Sequence, residues 1–165
     1  MKMAGYRILD LSLYLPGPML TQTLADHGAD VIKIEPPTGE PVRKVGYVEG
    51  GATTWFRNTH RGKRSIVLDL KSPEDHAVFM DLSRSADVVI EAFRPGVVDH
   101  LGVGPDAIMA VNPRAVYCSI AAFGQTGPEA KRPAHDLSIE VLAGVVSLNL
   151  GRDGHPVNPH MPVAD

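Results

Sequence analysis

An open α/β sheet of Rossmann type, with parallel strands and flanking helices, is the fold this sequence predicts. Three observations carry that expectation. Short apolar runs of strand length alternate with helix-length segments along the chain. The first such repeat, strand, Pro-Gly turn, helix and strand, fits within about 30 residues, the length of a βαβ unit with a right-handed crossover. The chain has 165 residues, 44% of them hydrophobic, with a mean hydropathy of −0.04. That is one domain's length with enough apolar mass for a core, and it excludes both a disordered chain and a membrane protein.

The elements follow in order. Arg7 to Leu11 is a short apolar run, read as a buried strand. Pro16-Gly17-Pro18 forces a turn, and Met19 to His27 has helical apolar spacing with Gly28 as its C-cap. Asp30 to Glu35 is the second strand. Pro36 to Gly62 reads as a long polar loop, and loops of that length are usually functional or mobile. Ser65 to Leu70 is the third strand. Ser72-Pro73-Glu74-Asp75 opens a helix running to about Ser85, with an N-cap, proline at the first position and acids in the first turn. Asp87 to Glu91 is the fourth strand. Short helices near Val97 to Leu101 and Pro105 to Ala110 follow, and Ala115 to Ile120 is the fifth strand. Beyond a Gly-Pro loop, the apolar run Leu137 to Leu150 is long enough for a helix, and Gly151 to Pro162 can double back.

The formal net charge of −3 gives no bulk basic field to recruit nucleic acid. The single cysteine, Cys118, excludes an intramolecular disulfide framework and fits a reducing compartment. Its mid-strand position reads as a core thiol. The start has no signal-peptide core, and no apolar run reaches the ~18 residues of a spanning helix. These features imply a soluble, cytoplasmic protein with no membrane partner.

Ligands of open parallel sheets sit at the carboxyl ends of the strands. That rule gathers Leu13 to Pro18, Glu35 to Val42, Lys71, Phe93 to Gly96 and Ala122 to Asp136 around one crevice. The first turn has no G-x-G-x-x-G, and Pro16 and Pro18 lack the N–H groups a phosphate needs, so NAD is not expected. The turn serves either tight helix–strand packing or ligand contact. Arg57, Arg61, Lys63 and Arg64 cluster before the third strand, while Lys71 and Arg94 follow strands. Cations at strand ends suit a phosphorylated ligand, and solvated charge is the alternative for each. The histidines lack metal-ligand spacing, so no metal is expected.

Three groups capable of proton transfer or nucleophilic attack remain: His135, Asp136 and, 30 residues after His135, Asp165. In a structural reading Asp136 N-caps a helix, His135 packs beneath it and Asp165 is a frayed end. In a chemical reading, an acid and a base on opposite faces move a proton beside a thioester carbonyl, or a lone carboxylate attacks that carbonyl.

The residues Asp10-Leu11 with Gly17-Pro18, then Leu24 through Pro37, resemble the opening of the class III CoA-transferases. That family includes formyl-CoA transferase, carnitine CoA-transferase and α-methylacyl-CoA racemase. The resemblance continues through Arg61 to Lys71, Ala86 to Glu91, Arg94 to Val97 and Phe123 to Pro128, and so covers nearly the whole chain. It implies a CoA thioester as substrate, with no metal and no NAD. It implies that Asp165 is a nucleophile forming an aspartyl anhydride, to which CoA re-adds before the acceptor acid leaves as a new thioester. Lys71 and Arg94 map onto family contacts to CoA, with Leu13, Tyr14 and Leu15 lining the site. The arginine that often follows the second-strand acid is Pro36 here, and Arg43 stands as its replacement.

His135-Asp136 matches the racemase branch, in which the histidine and the later aspartate form a two-base set. Transfer of CoA between carboxylic acids is the preferred reading, racemisation the alternative, and a non-catalytic CoA-binding subunit a third. Family members are about twice as long, with a small second domain, and two chains interlock as a homodimer. By that standard residues 1–165 are the amino-terminal part of the CoA-binding large domain, cut in mid-fold. The piece alone is then expected to be inactive and poorly stable.

Overall fold

The computed structural model describes residues 1–158. The chain divides into two compact units, Met1–Ala121 and Ala122–Asp165.

In the first unit, five parallel strands form one sheet: β1 (Arg7–Asp10), β2 (Asp30–Glu35), β5 (Arg64–Val67), β6 (Val88–Glu91) and β7 (Val116–Ser119). Their spatial order is β5-β2-β1-β6-β7. The chain thus winds outward from β1 in one direction, returns, and winds outward in the other, which is the doubly wound order of a Rossmann sheet. The point of reversal lies between β1 and β6, where Ile8 pairs with Val88 and Leu9 with Val89.

Both faces of the sheet are covered, and the period-two alternation of a strand separates two cores. Ile8, Val31 and Ile90 face one way, packed with Leu24 and Ala25 of α1 (Pro16–Asp26). Leu9, Ile32 and Val89 face the other way, packed with Phe79 of α3 (Pro73–Ser83) and Ile108 of α5 (Pro105–Val111). This is why the strands read as nearly continuous apolar runs.

Helix α1 starts at Pro16, three residues ahead of the expected start at Met19. Prolines are tolerated in a first turn because those N–H groups have no intrahelical partner. The segment Pro36 to Gly62 is not a plain loop. It holds a 3-10 turn (Pro41–Lys44), a hairpin of β3 (Val48–Glu49) with β4 (Ala52–Thr53), and α2 (Thr54–His60). The Thr53 hydroxyl caps α2 by accepting from Phe56 N. Seven residues are too few to show a helical period, so the pattern of polar and glycine residues concealed this element. Helix α4 (Val97–His100) completes the unit.

The second unit holds α6 (Asp136–Leu142), which ends near Gly144 at φ +78, well short of Leu150. Its chain doubles back, as the antiparallel bridge of Leu150 with Pro156 shows. No apolar side chain of this unit is buried among the described residues, and Val141, Leu148 and Leu150 are exposed. Among the described residues no helix is long and apolar enough to cross a membrane.

Candidate functional site

An apolar cavity of about 150 Å³ opens at the carboxyl edge of the sheet. Leu11 and Leu13 beyond β1, Ile34 of β2, Leu70 beyond β5 and Phe93 beyond β6 line it, and so does the exposed Lys71. A second cavity of about 460 Å³ shares Leu70 and Lys71 and is lined also by Ser72, His76 and His100. The sheet dictates this placement: successive strands end along one edge, and the loops that leave them surround the gap at the reversal point.

The turn from Ser12 to Pro18 forms one wall of this region, and four buried ionic side chains hold it. Asp10 Oδ1 accepts from Ser12 N at 3.0 Å and from the Ser12 hydroxyl. Its Oδ2 accepts from Thr21 Oγ1 at 2.6 Å and from Lys63 Nζ at 3.0 Å. Lys63 Nζ also donates to Pro18 O at 2.9 Å. Lys33 Nζ donates to Ser12 O and lies 3.1 Å from Glu40 Oε2. Glu40 Oε1 accepts from Tyr14 N at 2.9 Å. The side chains of Asp10, Lys33, Glu40 and Lys63 are each no more than 1% exposed. Two cations and two anions balance, as buried charges must.

Burial raises the pKa of Asp10, but Lys33, Lys63 and the two hydroxyls outweigh it and hold the carboxyl below its usual range. His60 lies 4.0 Å from Glu40 Oε2. Burial first, then the nearby Lys63 and Lys33, push its pKa down to about 4, so it is neutral at pH 7.

Leu13 and Lys71 therefore meet at one cavity. Tyr14 sits between them in sequence terms on the turn, at φ +64 with its ring exposed. Leu15 is half-buried, and its carbonyl accepts from Met19 N at the start of α1. Arg94 is exposed beyond β6 and lines neither of the two cavities. In the second unit, His135 is the N-cap of α6 and is exposed, with its carbonyl accepting from Ser138 N at 2.9 Å. Asp136 is the first residue of that helix rather than its cap. Asp165 lies outside the described residues.

The basic cluster before β5 is engaged in ion pairs. Arg61 pairs with Asp26 at 2.6 Å, Arg64 with Asp30 at 2.5 Å and Arg57 with Glu49 at 3.6 Å, while Lys63 belongs to the buried quartet. Arg43, the expected stand-in for the arginine after the second-strand acid, is paired with an acid of that strand. It grips Glu35 through two 2.7 Å hydrogen bonds and stacks 3.7 Å over Phe56. Burial raises the pKa of Glu35, yet Arg43, Ser65 and the Glu40 amide bring it down to about 2. Gly17 is fixed by packing, because a Cβ there would overlap the Ser12 side chain. Cys118 is half-buried beside the Ile8 core. Glu91, buried at the end of β6, accepts from Phe93 N at 2.7 Å, and burial raises its pKa. No group of three or more metal-ligating side chains occurs among the described residues.

The sequence reading missed Lys33, Glu40 and His60. Lys33 had a signal: a lysine between Ile32 and Ile34 in a strand buried on both faces has no route to water and must have a partner.

Comparison with known proteins adds the following. The model of CoA-transferase family III matches residues 3–165. Acetyl-CoA:oxalate CoA-transferase of Acetobacter aceti is 43% identical over 92% of this chain and 39% of its own length. Human alpha-methylacyl-CoA racemase is 37% identical over 99% of this chain and 38% of its own length. A crystal structure of a CAIB/BAIF family protein from Brucella suis superposes with a TM-score of 0.90 at 37% identity, over 97% of this chain and 44% of that one. The chain thus spans about two-fifths of the length of the curated relatives it matches.

Proposed function

The chain belongs to CoA-transferase family III, and from that premise we propose that residues 1–165 form the amino-terminal part of the CoA-binding large domain of an acyl-CoA transferase. The enzyme moves CoA between carboxylic acids. The observation that supports this most directly is the apolar cavity at the carboxyl edge, walled by the Leu13 turn and carrying the exposed ammonium of Lys71. An apolar slot beside an exposed cation suits a thioester arm with a phosphorylated end.

In this reading Leu13, Tyr14 and Leu15 line the thioester arm, and Lys71 and Arg94 meet its phosphates. A carboxylate oxygen of Asp165 attacks the thioester carbonyl. The C–S bond breaks, CoA leaves as the thiolate and a mixed anhydride remains on the aspartate. The thiolate then re-adds at the aspartyl carbonyl and releases the first acid. The acceptor carboxylate attacks this enzyme thioester, CoA leaves again, and its return to the new acyl carbonyl frees both the product thioester and Asp165.

The test uses the full-length protein with a panel of acyl-CoAs and free acids, reading thioester exchange by mass. Hydroxylamine trapping is expected to leave a hydroxamate at Asp165, and Asp165→Ala to abolish exchange. Undiminished exchange by Asp165→Ala removes the mechanism.

A racemase is the second reading, favoured by His135-Asp136 at the start of α6 and by the likeness to the human racemase. It predicts deuterium uptake at the α-carbon of a 2-methylacyl-CoA with no acceptor acid present, lost in His135→Ala. Absence of α-proton exchange excludes it.

A further inference from the structure

We propose that Glu40 is a positioning residue for the substrate turn: through Tyr14 it holds the backbone that sets Leu13 in the cavity wall. This inference rests on reading the cavity as the acyl-CoA site.

Tyr14 is the one non-glycine residue at positive φ among the described residues, at +64. A side chain disfavours that conformation, so surrounding structure must hold it. The ring does not hold it, because Tyr14 is 47% exposed. What does is the hydrogen bond from Tyr14 N to Glu40 Oε1, at 2.9 Å, across 26 positions of sequence.

Glu40 is itself fixed. Its own N–H donates to Glu35 Oε2 at 3.0 Å, and Glu35 is gripped by Arg43. Its second oxygen lies 3.1 Å from Lys33 Nζ, and Lys33 donates to Ser12 O. The Glu40–Lys33 pair therefore holds the backbone at Ser12 and at Tyr14, on either side of Leu13. A charge-assisted hydrogen bond to a carboxylate that is itself buried resists rotation of the turn far more than a surface contact does. The long connection from β2 thus carries a carboxylate back beneath the turn that follows β1.

The experiment measures the dissociation constant of acetyl-CoA by calorimetry on the full-length protein. The variants are Glu40→Ala, Glu40→Gln and Tyr14→Gly, singly and with each Glu40 change on the Tyr14→Gly background. Circular dichroism identifies the temperatures at which each is folded. Folded Glu40→Ala is expected to bind about ten-fold or more weakly, the scale of one lost charge-assisted hydrogen bond and of a turn displaced by about 1 Å. Glu40→Gln keeps an acceptor for Tyr14 N and is expected to lose less. Glycine adopts positive φ without support, so Glu40→Ala is expected to cost less on the Tyr14→Gly background than alone.

If Glu40→Ala does not fold, the Glu40→Gln pair gives the same comparison. Equal binding by folded Glu40→Ala and wild type, or strictly additive effects with Tyr14→Gly, overturns the positioning role alone. Absence of acetyl-CoA binding by the wild type overturns the acyl-CoA reading as well.

Discussion

Replacing Lys33 with methionine isolates the energetics of the buried quartet. The substitution keeps most of the side chain's length and removes the ammonium. Asp10 retains Lys63 at 3.0 Å, two hydroxyls and an amide. Among the described residues Glu40 retains only the Tyr14 amide, with His60 Nε2 at 4.0 Å. An uncompensated buried anion is intolerable, and the protein escapes by binding one proton, on the carboxylate or on the neighbouring imidazole. For an ordinary glutamic acid, protonation at pH 7 costs about 1.4 kcal/mol for each of nearly three pH units, so the ceiling is ~4 kcal/mol. That agrees with the ~3–5 kcal/mol typical of a buried pair broken from one side.

The sign follows from the extra proton. The folded variant binds one more than the folded wild type, so its deficit relative to wild type is full at neutral pH and shrinks on acidification. Denaturant unfolding of both proteins from pH 7 to pH 5 is expected to show the deficit falling by ~1.4 kcal/mol per unit. A deficit under ~1 kcal/mol at pH 7, or one that does not change with pH, refutes this account of the quartet. Changing Lys33→Met and Glu40→Leu together removes both charges and is expected to recover part of the loss, the Tyr14 amide being left without its acceptor.

Four further outcomes follow from the same geometry. Glu35, with its pKa held at about 2, stabilises the fold above the ordinary carboxylate range, and that contribution disappears as pH falls toward 2; in acid titrations followed by circular dichroism, Glu35→Gln is expected to lack this part of the wild type's decline. Gly17→Ala forces a Cβ into the Ser12 side chain, and thermal unfolding is expected to register a loss of ~1–3 kcal/mol. Phe79, with none of its surface exposed, is expected to cost ~3–5 kcal/mol when cut to alanine, measured by denaturant unfolding. Lys71→Ala, at an exposed cavity position, is expected to weaken acetyl-CoA binding about ten-fold in the full-length protein while leaving the melting temperature unchanged.

The sheet was legible because its strands obey one rule without interference. A parallel strand covered on both faces carries consecutive apolar residues, as Ile8–Leu9 and Val88–Ile90 do, and the edge strand Val116–Ser119 stands between clear turn signals although Val116 is exposed. The connection from Pro36 to Gly62 was not legible for the opposite reason. Its order comes from distant partners: Glu35 gripping Arg43, Val42 O accepting from Thr53, and Phe56 between Arg43 and His60. A seven-residue helix whose first turn is capped by one threonine leaves almost no periodic trace.

The same contrast governs the site. That Lys71 and Leu13 line one cavity was legible because position at a strand's carboxyl end is a local property. For Arg57, Arg61 and Arg64 the sequence left solvated charge and ligand contact open, because charge alone does not reveal a partner: Glu49, Asp26 and Asp30 lie far from them in sequence or on another element. Yet a buried strand imposes a constraint that can be read in advance. Asp10 and Lys33 sit directly opposite each other in the β1–β2 register, each within an apolar run. A parallel register set by hydrophobic faces therefore already places two opposite charges side by side in the core. What the sequence does not contain is the third member, Glu40, whose position depends on the path of the connection rather than on any strand. That is why its effect on Tyr14 emerges only from the folded chain.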